Sequence, residues 1–184
     1  MIRINKLMVG DIIGTTSGSP LAMIIKARTW GWRKMFSQKH SSHIAVVVDR
    51  GHGLLYFAEM LAGGIALTNI QEYNNRAPRQ HICFVGRHPT VASSAMKRGI
   101  ISDQILYLHS RKVKYGFDDL FDYLTESFGI HIPDKESTLI CSELPRVGFK
   151  KADVETPSAW DEKCSPQDWQ SWVNLHNMTE EVIC

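Results

Sequence analysis

Ile44-Ala45-Val46-Val47-Val48-Asp49 is the most strongly strand-prone segment of this 184-residue chain, and the predicted architecture follows from it. Its β-branched residues run without polar alternation, which predicts a strand that is buried on both faces. Arg50-Gly51-His52-Gly53 then predicts a turn, and Leu54 to Met60 predicts the returning strand. A β-hairpin is therefore expected, with His43 at the head of its first strand.

Further strands and helices are predicted around this hairpin. Ile65 to Ile70 and His81 to Gly86 predict two more strands, so residues 43–87 should form an antiparallel meander or a small barrel. Helices are predicted over Leu21 to Thr29, Val91 to about Arg111, Tyr115 to Glu126, a segment beginning at Cys141, and Trp169 to Leu175. The fold class is α+β, with the sheet or barrel packed against helices. One domain over residues 1–184 is expected, in which residues 152–184 form a partly packed tail.

Capping residues predict where several helices begin. Ser19-Pro20 and Thr90 match the residue types preferred at helix starts, and Thr15 to Pro20 is predicted to be a loop. Ser165-Pro166-Gln167-Asp168 supplies an N-cap, a proline at the first helical position and an acid at the third.

Composition favours a globular chain with an uneven charge distribution. Hydrophobic residues make up 43% and charged residues 22%, and the net charge is +2. Residues 1–100 hold 13 Lys/Arg and 4 Asp/Glu, whereas residues 101–184 hold 8 and 15. The acid-free stretches Lys26 to Lys39 and Arg76 to Arg98 could attract phosphate, nucleic acid, lipid headgroups or a cell-wall polymer. The favoured alternative is that the two halves pack with their charges facing each other. A nucleic-acid site is less well supported, because Arg76 to Arg98 contains no aromatic residue except Phe84.

Several classes of protein are disfavoured by what the sequence lacks. No apolar run approaches the roughly 20 residues of a membrane span, and no secretory signal is visible, so a cytoplasmic protein is expected. The four cysteines form no CxxC pair, and the histidines show no zinc-site spacing. We therefore expect no disulfide, metal or cofactor. The sequence does not indicate an oligomeric state.

A candidate nucleophile lies where a short apolar segment turns into a helix. In Ser137 to Leu144, Leu139 and Ile140 precede Cys141, which is expected in the first helical turn. The positive end of the helix dipole and the unpaired N–H groups there favour a thiolate. A catalytic thiolate also needs a base, for which His43 is the candidate. The alternative is that Cys141 is a small buried hydrophobic residue and His43 a hydrogen-bonded residue at a strand edge.

Three more residues near this pair could contribute to a site. Glu59 lies near the end of the returning strand, where it could orient the ring of His43 and keep it basic, or face solvent. Trp30 and Trp32 precede His43 within a basic stretch. They could line a substrate groove or cover the edge of the core.

Six short motifs occur in one order along the chain. They are Gly10-Asp11-Ile12-Ile13, Ser42-His43-Ile44-Ala45-Val46-Val47, Phe57-Ala58-Glu59, Tyr115 with Asp118, Cys141-Ser142-Glu143-Leu144 and Ser165-Pro166-Gln167-Asp168. This order resembles the circularly permuted NlpC-type papain-like enzymes, especially the YiiX/YebB-like group. In that family the strand with the histidine precedes the helix with the cysteine, the reverse of the papain order. The resemblance spans about residues 7 to 170 and implies a permuted papain-like fold.

The resemblance also implies roles for individual residues. Cys141 would be the nucleophile, His43 the general base and Glu59 the polar third member, with the Cys141 backbone N–H as an oxyanion donor. Glu59 follows Ala58 here, whereas the family commonly has a glutamate before an alanine, so the alignment can slip at this position. Asp11 would help to shape the site, and Tyr115 would contact substrate.

The function implied is hydrolysis of an amide bond through a thioester on Cys141, with a peptide, amide or lipid-like substrate. A cell-wall peptide would require release of the enzyme by lysis or by a secretion system, as for a bacteriophage-encoded protein. One alternative is an acyltransferase or thioesterase that acts on lipid acyl groups with the same cysteine–histidine dyad. Another is a non-catalytic module that binds its ligand in the papain-like cleft with Trp30 and Trp32.

Overall fold

The computed structural model describes residues 6–76, 80–116, 138–157, 164–176 and 178, and these residues adopt an α+β fold with one five-stranded antiparallel sheet and six helices. The sheet strands are β1 (Ile12–Ser17), β2 (His43–Asp49), β3 (Leu55–Leu61), β4 (Gly64–Asn69) and β5 (Gln80–Gly86). The helices are α1 (Pro20–Trp30), α2 (Ile70–Arg76), α3 (Pro89–Ala92), α4 (Ala95–Ser110), α5 (Glu143–Lys151) and α6 (Pro166–Leu175). A 3-10 turn (Trp32–Lys34) and a parallel pair, β6 (Lys114–Tyr115) with β7 (Thr138–Leu139), complete the described elements.

The sheet is open, with the strand order β4-β3-β2-β1-β5. The predicted hairpin and the strand that follows it are confirmed as β2, β3 and β4. The predicted fourth strand, β5, does not continue the meander, because it pairs with β1 at the opposite edge. The prediction of a loop over Thr15 to Pro20 was wrong at its start, since Thr15, Thr16 and Ser17 belong to β1. Their polar side chains lack the apolar pattern that predicts a strand, but β1 lies between β2 and β5 and pairs with both.

Helices cover one face of the sheet more completely than the other. Ile44, Val46 and Ala58 belong to the main core, which α4, α5 and α6 complete with the side chains of Ile101, Ile105, Leu144, Phe149, Trp169 and Val173. Ala45 and Val47 face the opposite side, where α2 supplies Ile70 and Tyr73. Residues 44–48 are all buried, which confirms the prediction for this strand.

The predicted helix starts agree with the structure in two cases and differ in a third. Ser19 caps α1, and Ser165 forms a reciprocal capping box with Asp168 at the start of α6. The helix predicted to begin after Thr90 is divided into α3 and α4, which are capped by His88 and Ser94.

The remaining predictions concern the middle and the end of the chain. Tyr115, predicted to start a helix, lies in β6, and the rest of that predicted helix falls outside the described residues. In the predicted tail, Trp169 and Val173 are fully buried in the main core. Within the described ranges, every helix is too short or too polar to span a membrane.

Candidate active site

Cys141 lies in a tight turn immediately before α5. Ser142 is the N-cap residue and Glu143 the first helical residue, so Cys141 precedes the helix instead of lying in its first turn as predicted. The Ile140 amide donates to Glu143 Oε2 over 2.8 Å, and the Glu143 amide donates to the Ile140 carbonyl over 3.1 Å. This reciprocal pair of bonds closes the chain around Cys141 and fixes its backbone.

The C-terminal segment holds the same turn from the other side. The Trp169 indole N–H donates to the Ser142 carbonyl over 2.8 Å, and the Ser142 hydroxyl donates to the Cys164 carbonyl. All these partners are buried, so water competes little for the bonds. The position of Cys141 therefore depends on α5 and on the segment that leads into α6.

His43, Glu59 and Thr68 come from three neighbouring strands and form a hydrogen-bonded row. His43 Nε2 is 3.2 Å from Glu59 Oε2, and the Thr68 hydroxyl donates to Glu59 Oε1 over 3.2 Å. Glu59 lies opposite Ala45 on the adjacent strand, and His43 is two residues from Ala45 on the same face. Glu59 is only 3% exposed, so its two partners supply the contacts that a buried carboxylate requires.

The surroundings of His43 favour its protonated form. Burial alone would lower the pKa of His43, but the charge and hydrogen bond of Cys141, together with those of Glu59, raise it to about 10. Because Nε2 faces Glu59, Nδ1 is the ring nitrogen left for the sulfur of Cys141. The arrangement therefore places the sulfur of Cys141 beside an imidazole ring that is protonated at neutral pH.

The other two described cysteines lie in different surroundings. Burial raises the pKa of Cys83 to about 12, and burial also raises the pKa of Cys164 strongly. Both should remain thiols at neutral pH. Among the cysteines that the structure describes, only Cys141 has a histidine among the groups that interact with it electrostatically.

Cys141 and His43 line a pocket of about 190 Å³ between α1 and the sheet. Much of its wall is apolar and comes from Leu21, Ala22, Ile25, Met60, Leu61 and Ala62. Hydroxyl groups from β1 and its neighbours complete it, namely those of Thr15, Thr16, Ser17, Ser19, Ser42 and Tyr115. Burial raises the pKa of Tyr115, so its phenol stays neutral and can donate a hydrogen bond within the pocket.

A larger pocket of about 600 Å³ adjoins the first one. The two pockets share Thr16, Ser17 and Ser19. The second also contains Lys26, which is 3% exposed and donates from Nζ to the Ser37 carbonyl over 3.1 Å, and the exposed ring of Phe36. A substrate with two parts could therefore extend from Cys141 past the end of β1.

The structure brings some of the predicted site residues together and separates others. Cys141, His43 and Glu59 interact, and Tyr115 lines their pocket. Asp11 was expected to shape the site. Thr15 of β1 pairs with His43, whereas Asp11 lies just before the opposite end of β1. The carboxylate of Asp11 is buried and accepts from the Met8 amide and from Arg87, whose Nη2 is 2.7 Å from Oδ2.

Neither predicted tryptophan lines the pocket of Cys141. The Trp30 indole donates to the Ser41 carbonyl over 3.3 Å and packs edge-on against His40, so it braces the chain just before β2. Trp32 is 77% exposed. Sequence reasoning missed Thr68 and the apolar wall that α1 contributes. Thr68 lies in a strand that was predicted, but its contact with Glu59 is diagonal, because the register against β3 places Thr68 opposite Phe57.

No family model matches the sequence, and neither does any curated protein. The fold is similar to the crystal structure of YiiX from Escherichia coli O157:H7, described there as a metalloprotein of the family DUF1105, with a TM-score of 0.50 and 18% identity. The match covers 79% of this chain and 66% of the other, so the matched region spans slightly less than two thirds of that protein. The described residues of this chain contain no group of three or more His, Cys, Asp or Glu side chains placed to hold a metal ion. The residues of the candidate site thus do not fit a metal centre.

Proposed function

We propose that this protein is a cysteine hydrolase of the permuted NlpC-type papain-like class, which cleaves an amide bond through a thioester on Cys141. One observation carries the proposal: Cys141 interacts with His43 in the wall of a pocket, and the far ring nitrogen of His43 meets the buried carboxylate of Glu59. A nucleophile, a proton carrier and an orienting group are the three parts that covalent acyl transfer requires.

The reaction follows from the proton positions. The Cys141 thiolate attacks the amide carbon, and the carbonyl oxygen becomes an oxyanion, for which the Cys141 N–H is the nearest candidate donor. The His43 imidazolium gives its proton to the departing amine, the C–N bond breaks, and a thioester remains. Neutral His43 then takes a proton from water, whose oxygen attacks the thioester and releases the acid and the Cys141 thiolate. Glu59 stabilises the imidazolium, and Thr68 holds Glu59 in place.

Alkylation by iodoacetamide, followed by mass spectrometry of each cysteine, tests the dyad without knowledge of the substrate. At pH 7 we expect Cys141 to react at least about tenfold faster than Cys83 and Cys164, because only a thiolate reacts readily. His43→Ala should abolish that difference, and Thr29→Ala, a change at a half-buried residue of α1 that does not line the pocket of Cys141, should preserve it. Equal rates at the three cysteines of the folded wild type would contradict the proposal. A positive result justifies an amide and ester screen with Cys141→Ala as the inactive control.

A second candidate is hydrolysis or transfer of a lipid acyl group by the same dyad. It is favoured by the apolar wall beside Cys141, to which Leu21, Ile25 and Met60 contribute. Transient acylation of Cys141 should then increase with the length of the donor's acyl chain, since each additional buried methylene contributes about 0.8 kcal/mol. Intact-protein mass spectrometry with acyl thioesters from two to twelve carbons would measure it. Preference for two-carbon donors, or for peptides over all acyl donors, would favour the peptidase.

A further inference from the structure

Exposed apolar side chains are concentrated on one part of the surface. Among the described residues, nine large hydrophobic side chains are exposed, and four of them lie between residues 21 and 36. They are Leu21 (44% exposed), Ile24 (52%), Trp32 (77%) and Phe36 (74%). In α1 the inner residues Ala22 and Ile25 are buried, whereas Leu21 and Ile24 face solvent one helical turn apart. The outer face of this helix is therefore apolar without being part of the core.

The same region carries positive charge only. No Asp or Glu occurs between Asp11 and Asp49. Four cationic residues in this interval are exposed, namely Arg28, Arg33, Lys34 and Lys39. The Lys34 ammonium lies 5.7 Å from the centre of the Trp30 ring, so cations and aromatic rings are interleaved. We call the outer face of α1 together with residues 31–39 the basic aromatic surface.

The basic aromatic surface is continuous with the two pockets. α1 packs directly against the 3-10 turn (Trp32–Lys34), which places their exposed side chains on neighbouring parts of the molecule. Leu21 is exposed and also lines the pocket of Cys141. Phe36 is exposed and lines the adjoining pocket. The apolar side chains thus form part of the rim of both pockets.

We infer that the basic aromatic surface docks this protein onto a membrane that contains anionic lipids. Tryptophan, phenylalanine and leucine beside lysine and arginine are typical of segments that lie in the membrane interface, where rings reach the acyl boundary and cations meet headgroups. A nucleic acid would use the cations but would leave Leu21 and Ile24 in water. Docking would place the apolar wall beside Cys141 next to the bilayer. That last consequence rests on the proposed function, whereas the docking itself does not.

Co-sedimentation of the 184-residue chain with vesicles tests the inference. We expect binding to vesicles of phosphatidylcholine with 30% phosphatidylserine, weaker binding to phosphatidylcholine alone, and a decrease as salt is raised. Trp32→Ser/Phe36→Ser should weaken binding to the anionic vesicles about tenfold or more, because two interfacial anchors are lost. Lys34→Glu should weaken it mainly at low salt. Two matched controls are Leu175→Ser, which changes a side chain 78% exposed on α6, and Lys151→Glu, which reverses an exposed charge on α5.

The controls and two further outcomes make the test decisive. Absence of binding to anionic vesicles at low salt would overturn the inference, as would an equal loss in Leu175→Ser. Tighter binding of a single-stranded oligonucleotide than of anionic vesicles would assign the surface to nucleic acid instead. Cys141→Ala should bind vesicles as the wild type does. If the protein binds vesicles but Cys141 shows no enhanced alkylation, the docking surface is supported and the proposed hydrolase is contradicted. If Cys141 shows enhanced alkylation but the protein does not bind vesicles, the hydrolase is supported and the docking surface is contradicted.

Discussion

The ring of His43 interacts with the sulfur of Cys141 on one side and with the carboxylate of Glu59 on the other. Cys141 and Glu59 both raise the pKa of His43, against the effect of burial. A histidine whose pKa is raised above the unfolded value of about 6.5 contributes stability that is complete below that value. The contribution is lost as the pH rises through about 10.

Removal of the sulfur should therefore lower the pKa of His43. In Cys141→Ala, we expect the pKa of His43 to fall, because Glu59 is then the remaining group that raises it against the effect of burial. Glu59→Gln should produce a fall as well, since the carboxylate charge is lost. Titration of the ring resonances by NMR measures both values, with Cys164→Ala as a control that removes a buried thiol without removing a partner of His43. An unchanged value in Cys141→Ala would show that the two side chains do not interact.

Sequence reasoning identified the pair His43 and Glu59 because both lie on predicted strands that a short turn connects. It could not identify the role of Asp11, whose partner Arg87 is 76 residues away in the chain. A Gly-Asp pair beside a catalytic site and a Gly-Asp pair beside a distant arginine look the same in one sequence. Only the three-dimensional contact separates them.

At the scale of elements, the turn before α5 is the part that positions Cys141. The Glu143 carboxylate is the acceptor for the Ile140 amide, so Glu143→Ala removes half of the reciprocal pair. We expect a loss of about 1 kcal/mol in the free energy of unfolding, as for a lost helix cap. Alkylation of Cys141 should slow as well, because the turn is no longer closed.

Glu143→Gln is the matched variant for this test, since its amide oxygen can accept the same hydrogen bond. It should retain most of the stability and of the reactivity. Urea denaturation and iodoacetamide labelling measure the two properties separately. Similar behaviour of the two Glu143 variants would mean that the hydrogen bond does not position Cys141.

A second prediction at this scale concerns β1, because the ring of Phe84 packs closely against the backbone of this strand. A Cβ atom at Gly14 would lie 1.9 Å from Phe84 Cε1, whereas one at Gly18 would meet nothing within 4 Å. Gly14→Ala should destabilise the fold by about 1–3 kcal/mol through overpacking, and Gly18→Ala should have little effect. Urea denaturation of the two variants provides the comparison, and equal midpoints would refute the close packing.

The elements also show where sequence reasoning stops. The hairpin of β2 and β3 and the capping box of α6 were predictable, because their signals lie within a few adjacent residues. The position of β5 beside β1 was not predictable, since it depends on a pairing between segments about 70 residues apart in the sequence. The last three residues of β1, Thr15 to Ser17, were predicted to be a loop because they lack an apolar pattern, although all three pair with β5 and Thr15 also pairs with β2.

At the scale of the whole molecule, α6 completes the core that the sheet and α4 begin. Trp169 is fully buried against Phe149 and Trp172, whereas Trp32 is 77% exposed. Trp169→Ala should cost about 3–5 kcal/mol of stability, and Trp32→Ala should cost little. Chemical denaturation monitored by circular dichroism measures both changes. A small loss in Trp169→Ala would mean that the C-terminal segment is not part of the cooperative unit.

The attachment of the Cys141 turn to this C-terminal segment also affects how the reactivity of Cys141 should change on heating. His43, Glu59 and Thr68 are held by hairpins that are local in sequence, but the Ser142 turn depends on partners 22 and 27 residues further along the chain. Because α6 belongs to the same core as the sheet, this turn should be lost only when the core itself unfolds. On heating, the enhanced alkylation of Cys141 and the circular dichroism signal of the sheet should therefore disappear in one transition, so a single unfolding event at the C-terminal segment would also set the upper temperature of the Cys141 site.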